Sequence, residues 1–118
     1  MPEYVAVNIR HAKIPDNEGN MPRFKTVAAE GAGAYFSTLP VQEMADAISA
    51  AGIPSEVSFD AGTFVCNDLM YTVLFKYLYT DTKSCFIHVP FIPEQTENKP
   101  NLELSDIVKG LIIAIESI

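Results

Sequence analysis

Cys66 sits in Asp60-Ala61-Gly62-Thr63-Phe64-Val65-Cys66-Asn67, a stretch whose residue types predict the end of a strand, a turn on glycine and the start of a helix. A helix N-terminus has backbone N–H groups without intrahelical acceptors and carries the positive end of the helix dipole, so it favours thiolate over thiol. The same N–H groups can receive an oxyanion developing on a carbonyl under attack. Acyl transfer is the reaction that suits these parts, provided that a base can take the thiol proton. Position alone leaves two readings of Cys66 open, a nucleophile or an inert small hydrophobe. His88, at the end of the apolar run 84–89, is the candidate base, and a lone histidine there is equally at home as a satisfied core imidazole. Glu3, at the start of the first strand, reads on its own as a solvated carboxylate.

The elements that must position these groups follow from periodicity and turn chemistry. Val5, Val7 and Ile9 alternate and predict a strand over 4–9. Residues 14–22 are dense in Pro, Asp, Asn and Gly and predict a loop, with a return arm over 24–28 and a flexible small-residue connection over 30–34. Pro40 opens a helix with Val41, Met44, Ala45 and Ile48 inward and Gly52 just past its end. A strand over 56–59 feeds the cysteine turn, and the helix after it places Leu69, Met70, Val73, Leu74, Tyr77 and Leu78 on one face. Strand, glycine turn and helix are the parts of a nucleophile elbow, without the serine motif of the hydrolases. Residues 84–89 predict a buried strand, 90–95 a proline-rich loop, and Ser105 the cap of a final helix with Ile107, Val108, Leu111, Ile112 and Ile115 inward. Helices alternating with strands predict an α/β fold, a three-layer sandwich with a largely parallel twisted sheet.

Composition narrows the function classes. With 118 residues, 48% of them apolar, the chain predicts one domain over 1–118. A net charge of −7 from scattered acids leaves no basic stripe for phosphates, so nucleic acid is not an expected partner. The apolar run 111–115 is too short to span a bilayer and the first ten residues lack the order of a signal peptide, so the expectation is a cytoplasmic protein without a membrane partner. Two cysteines and two histidines lack the spacing of a zinc site, and neither metal nor cofactor is expected.

Four blocks together resemble the pyroglutamyl peptidase I family, also called the pyrrolidone carboxyl peptidases. They are Pro2-Glu3-Tyr4-Val5-Ala6-Val7-Asn8, Ala12-Lys13-Ile14-Pro15-Asp16-Asn17-Glu18-Gly19-Asn20, Ala61-Gly62-Thr63-Phe64-Val65-Cys66-Asn67, and Phe86-Ile87-His88-Val89-Pro90 with Pro93-Glu94-Gln95. They occur in the family's order from residue 2 to residue 95. The resemblance implies a cysteine exopeptidase that removes N-terminal pyroglutamate from peptides with a Cys-His-Glu triad. Cys66 is then the nucleophile, His88 the general base and acid, and Glu3 the residue that orients the imidazole. Phe64 and Val65 match positions that line the pyroglutamyl pocket, and Lys13 stands where the family has an arginine linked to the oxyanion site, beside the Cys66 backbone. Lysine keeps the charge of that arginine but not its planar fork.

Family members carry a substantial segment before the glutamate block, so the resemblance also implies a chain truncated at its N-terminal side. An open apolar sheet edge and a homo-oligomer are the expected consequences. The alternative to an active peptidase is a catalytically inactive remnant of the family that folds or oligomerises without turnover. A small-ligand module with an incidental cysteine is a third reading, and it leaves the four blocks unexplained.

Overall fold

The computed structural model describes residues 1–118. The order of elements is β1 (Pro2–Glu3), β2 (Val5–Val7), β3 (Ala34–Phe36), α1 (Val41–Ala50), α2 (Val65–Lys76), β4 (Phe86–Ile87), a short 3-10 turn at Pro93–Gln95 and α3 (Leu104–Glu116).

Adjacent residues of a strand point to opposite faces, and β4 shows what each face holds. Phe86 packs with Ala6 of β2 and with Met70, Tyr71 and Leu74 of α2. Its neighbours Cys85 and Ile87 pack instead with Met44 and Ile48 of α1, Ile53 and Ala114 of α3. Helix α2 therefore covers one face of the strands while α1 and α3 cover the other, which is the layering of an α/β domain.

The strand pairings differ in detail from the parallel ladder that alternation suggests. β1 pairs antiparallel with β4, with Pro2 opposite Ile87 and Glu3 opposite Phe86. β2 pairs antiparallel with β3, with Val5, Ala6 and Val7 opposite Phe36, Tyr35 and Ala34. The parallel element before the cysteine turn is a single bridge between Glu3 and Ser58, so the strand expected over 56–59 contributes one rung. The connection expected over 30–34 runs directly into β3, where Tyr35 stacks near Tyr71 and Phe75.

Two helical faces are rotated from the expected ones. On α2 the buried residues are Asn67, Met70, Tyr71 and Leu74, while Leu69 is 54% exposed. On α3 the buried residues are Ile107, Gly110 and Ala114, while Val108, Ile112 and Ile115 face outward. α3 also begins one residue before Ser105, with Glu103 at the N-cap position and no side-chain cap. Glu103 offers no short hydroxyl, and the helix is held by its contact with α1 rather than by a cap. No helix is long and apolar enough to cross a membrane.

Candidate active site

The turn before α2 is built by its own polar groups. Gly62 has φ +80°, a conformation glycine adopts without penalty, and its N–H donates to Asp60 Oδ1 at 2.7 Å. Thr63 Oγ1 donates to the carbonyl of His11 at 2.7 Å, and the His11 N–H donates back to the Thr63 carbonyl at 3.0 Å. Phe64 then occupies the N-cap position and brings no side-chain cap, which leaves the first-turn N–H groups of α2 free of a competing acceptor. Cys66, half-buried, is the second residue of this helix.

Glu3 and His88 meet through the β1–β4 pairing. Directly opposed residues of an antiparallel pair project on the same side, so Glu3 shares the face of Phe86, and His88, two residues on, shares it too. The rings of Phe86 and His88 lie edge to face with centroids 5.0 Å apart. That face is the one covered by α2, the helix that Cys66 opens. Glu3 is only 1% exposed, so its reading as a solvated carboxylate is corrected, and its Oε1 lies 2.6 Å from His88 Nδ1. Contact with a carboxylate puts the proton of neutral imidazole on Nδ1 and leaves Nε2 with its lone pair free. The second carboxylate oxygen, Oε2, is buried without a partner. The hydrogen bonds of the site join Glu3 to His88; none joins Cys66 to His88.

The groove beside the start of α2 is lined by neither Glu3 nor His88. Phe64 and Val65 line this groove, of about 800 Å³, with Thr63, Leu69, Met21 and Arg10. Cys66 is not among the residues that line this groove. Lys13 is exposed, two residues beyond the His11–Thr63 tie, and its ammonium makes no ion pair. No group of three or more His, Cys, Asp or Glu side chains is arranged to hold a metal ion. Burial pushes the thiol of Cys85 up.

Two neighbours of Cys66 that periodicity overlooked tie α2 to the first strands. Arg10 pairs with Asp68 through two nitrogens, with Nη2 donating to Oδ1 at 3.2 Å. The buried carboxamide of Asn67 bonds to the backbone of Val7. The signal for Asn67 was its phase, since 67, 70, 71 and 74 share the three- and four-residue spacing of a core face.

A family model described as pyroglutamyl peptidase matches residues 1–118. The chain is 50% identical over 123 residues to a pyrrolidone-carboxylate peptidase of Streptococcus pyogenes serotype M5, a match that covers 99% of this chain and 57% of the relative. A pyrrolidone-carboxylate peptidase of Streptococcus suis is 48% identical over 122 residues with the same coverage. Among solved structures, pyroglutamyl peptidase I from Bacillus amyloliquefaciens superposes with a TM-score of 0.93 at 43% identity, over 99% of this chain and 58% of that one. Pyrrolidone carboxyl peptidase from Thermococcus litoralis gives 0.92 at 35% identity, over 98% of this chain and 57% of that one. The chain thus spans a little over half the length of these relatives.

Proposed function

This chain belongs to the pyroglutamyl peptidase family, and from that premise we propose that it is a cysteine exopeptidase that cleaves N-terminal pyroglutamate from peptides with Cys66, His88 and Glu3. The observation that carries the proposal is the 2.6 Å contact between His88 Nδ1 and the buried carboxylate of Glu3. A buried carboxylate against one imidazole nitrogen orients the ring and stabilises its protonated form, which is the task of the third member of a nucleophile, base and orienter set.

In this reading His88 Nε2 takes the Cys66 proton, and the thiolate attacks the pyroglutamyl carbonyl carbon. The oxyanion is received by the free N–H groups of the first turn of α2, with Lys13, at the position that matches the family's arginine, as the candidate cation. The C–N bond then breaks, the leaving amine takes the proton from His88, and a thioester to Cys66 remains. Water, deprotonated by His88, hydrolyses the thioester and releases pyroglutamate. The substrate's blocked terminus has no ammonium, so recognition falls to shape and apolar contact, for which Phe64 and Val65 are the candidates.

The test is hydrolysis of a pyroglutamyl chromogenic amide by the purified chain. Turnover that vanishes in Cys66→Ala supports the reading, and turnover that persists in that variant overturns it. The second reading, a family member that folds without turnover, is favoured by the missing hydrogen bond between Cys66 and His88. It predicts no hydrolysis by the folded wild-type chain.

A further inference from the structure

We infer that Asn67 is a positioning residue whose carboxamide sets the direction in which Cys66 projects toward the Glu3–His88 pair; the inference rests on the peptidase reading above. Asn67 Oδ1 accepts the Val7 N–H at 2.9 Å. Its Nδ2 donates to the Val7 carbonyl at 2.8 Å and to the Ile9 carbonyl at 3.3 Å. The side chain is 1% exposed, and three of its hydrogen-bonding sites have partners in the backbone of one strand segment.

The geometry is that of a ladder rung. The Tyr4 carbonyl accepts from Ser37 and the Asn8 N–H donates to the Gly33 carbonyl, so these two groups face β3 and its flanks. Val7, between them in alternation, turns its N–H and C=O to the opposite edge. A primary amide offers an acceptor and a donor in one plane, as a peptide group does, so Asn67 fills the place of a neighbouring strand there. The position belongs to the apolar face of α2 with Met70, Tyr71 and Leu74, where leucine would satisfy packing alone. A buried amide is tolerated there only because it is bonded.

The other ties between these segments act elsewhere. Tyr4 and Pro2 bond to Ser58, and His11 bonds to Thr63, both before the helix begins. Arg10 and Asp68 meet at the partly exposed side of the helix. On the core face Tyr71 bonds to the Ala32 carbonyl one turn further along α2, whereas Asn67 is the residue of that face tied to the first strands and adjacent to Cys66, so it fixes the rotation of the first turn of α2. Cys66 lies about 100° around the helix from Asn67, so a rotation of the first turn of α2 changes the direction in which the sulfur projects. The anchor, Val7, is on the same continuous segment as Glu3.

The experiment compares wild type, Asn67→Leu and Asn67→Gln. Leucine keeps volume and adds no charge beside the thiol, while glutamine keeps the amide one methylene too far and serves if the leucine variant does not fold. Folding is checked by circular dichroism, Val7 N–H exchange reports the bond itself, and the pH profile of alkylation at Cys66 and turnover report its consequence. The expected result is faster Val7 exchange, a Cys66 alkylation profile moved to higher pH, and kcat lowered about tenfold or more with KM little changed, glutamine lying between. A folded variant that loses Val7 protection but keeps the wild-type alkylation profile and turnover overturns the inference. A wild-type chain that neither turns over nor alkylates Cys66 ahead of Cys85 overturns the peptidase reading instead, and the inference with it.

Discussion

His88 Nδ1 and Glu3 Oε1 meet at 2.6 Å across 85 residues of chain. The carboxylate is enclosed and the imidazole is partly open, so the contact orients the ring from its buried side and leaves Nε2 free for the proposed reaction. Glu3→Gln keeps the shape but can donate to Nδ1, which moves the ring proton to Nε2. We expect kcat for a pyroglutamyl amide to fall by about 10²–10⁴ with the fold retained, by comparison with the equivalent change in other triads. Steady-state kinetics and circular dichroism on the same preparation check this.

Cys66→Ser and Cys66→Ala are expected to remove amide hydrolysis without disturbing the fold. The side chain is half-buried and small, so its truncation leaves little cavity. Thermal unfolding within a few degrees of wild type, with no hydrolysis above the buffer rate, is the expected pair of results.

Thiol alkylation across pH separates the two cysteines. Burial holds the Cys85 thiol above its ordinary range, so its thiolate forms only at higher pH. The sign for stability follows. The folded state keeps this proton longer than the unfolded state, so the contribution is present below the ordinary thiol pKa and is lost as pH rises through the folded value. At neutral pH iodoacetamide is expected to label Cys66 well before Cys85, as read by peptide mass analysis. Equal labelling would remove the argument that the start of α2 activates its cysteine.

Gly31→Ala is expected to destabilise the chain by about 1–3 kcal/mol, the range for forced overpacking. A Cβ at that position would overlap the hydroxyl of Tyr71, which donates to the Ala32 carbonyl at 2.5 Å and is fully buried. Urea unfolding of the variant measures the loss, and a Gly31→Ala, Tyr71→Phe double variant should recover part of it.

Self-association is expected through the aromatic patch of Tyr4, Phe36 and Phe59. Phe36 and Phe59 are 58% and 69% exposed, and the Tyr4 ring lies 5.2 Å from the first and 5.6 Å from the second. A contiguous apolar patch of this kind marks an association site. Sedimentation should give a species larger than the monomer, and Phe36→Ser with Phe59→Ser should shift it toward the monomer.

The helices and the cysteine turn were legible because each is written in local signals. Val41, Met44, Ala45 and Ile48 repeat at helical spacing, and Gly62 follows an aspartate that bonds its N–H. The side on which Glu3 lies was not legible. Strict alternation puts residue 3 on the face of Val5 and Val7, away from Ala6. The strand breaks at Tyr4, and the break brings both Glu3 and Ala6 to the α2 face. Nothing in the types of Glu3, Tyr4 and Val5 announces a break, which depends on the bond from the Tyr4 N–H to the Ser58 carbonyl far along the chain. The buried face of α2 was misread for a related reason: a polar Asn67 at a core position is sensible only once the backbone of Val7 is beside it.

The pairing of β1 with β4 has a kinetic consequence. Its partners are separated by most of the chain, and closing a flexible loop of that length costs roughly 4 kcal/mol of entropy before any contact repays it. Helices α1, α2 and α3 form from neighbours in sequence and need no such closure. On this basis the helix that carries Cys66 is expected to form before Glu3 meets His88, an order that hydrogen-exchange labelling during refolding checks. In the peptidase reading, the base and its orienting carboxylate therefore come together only after the thiol is in place.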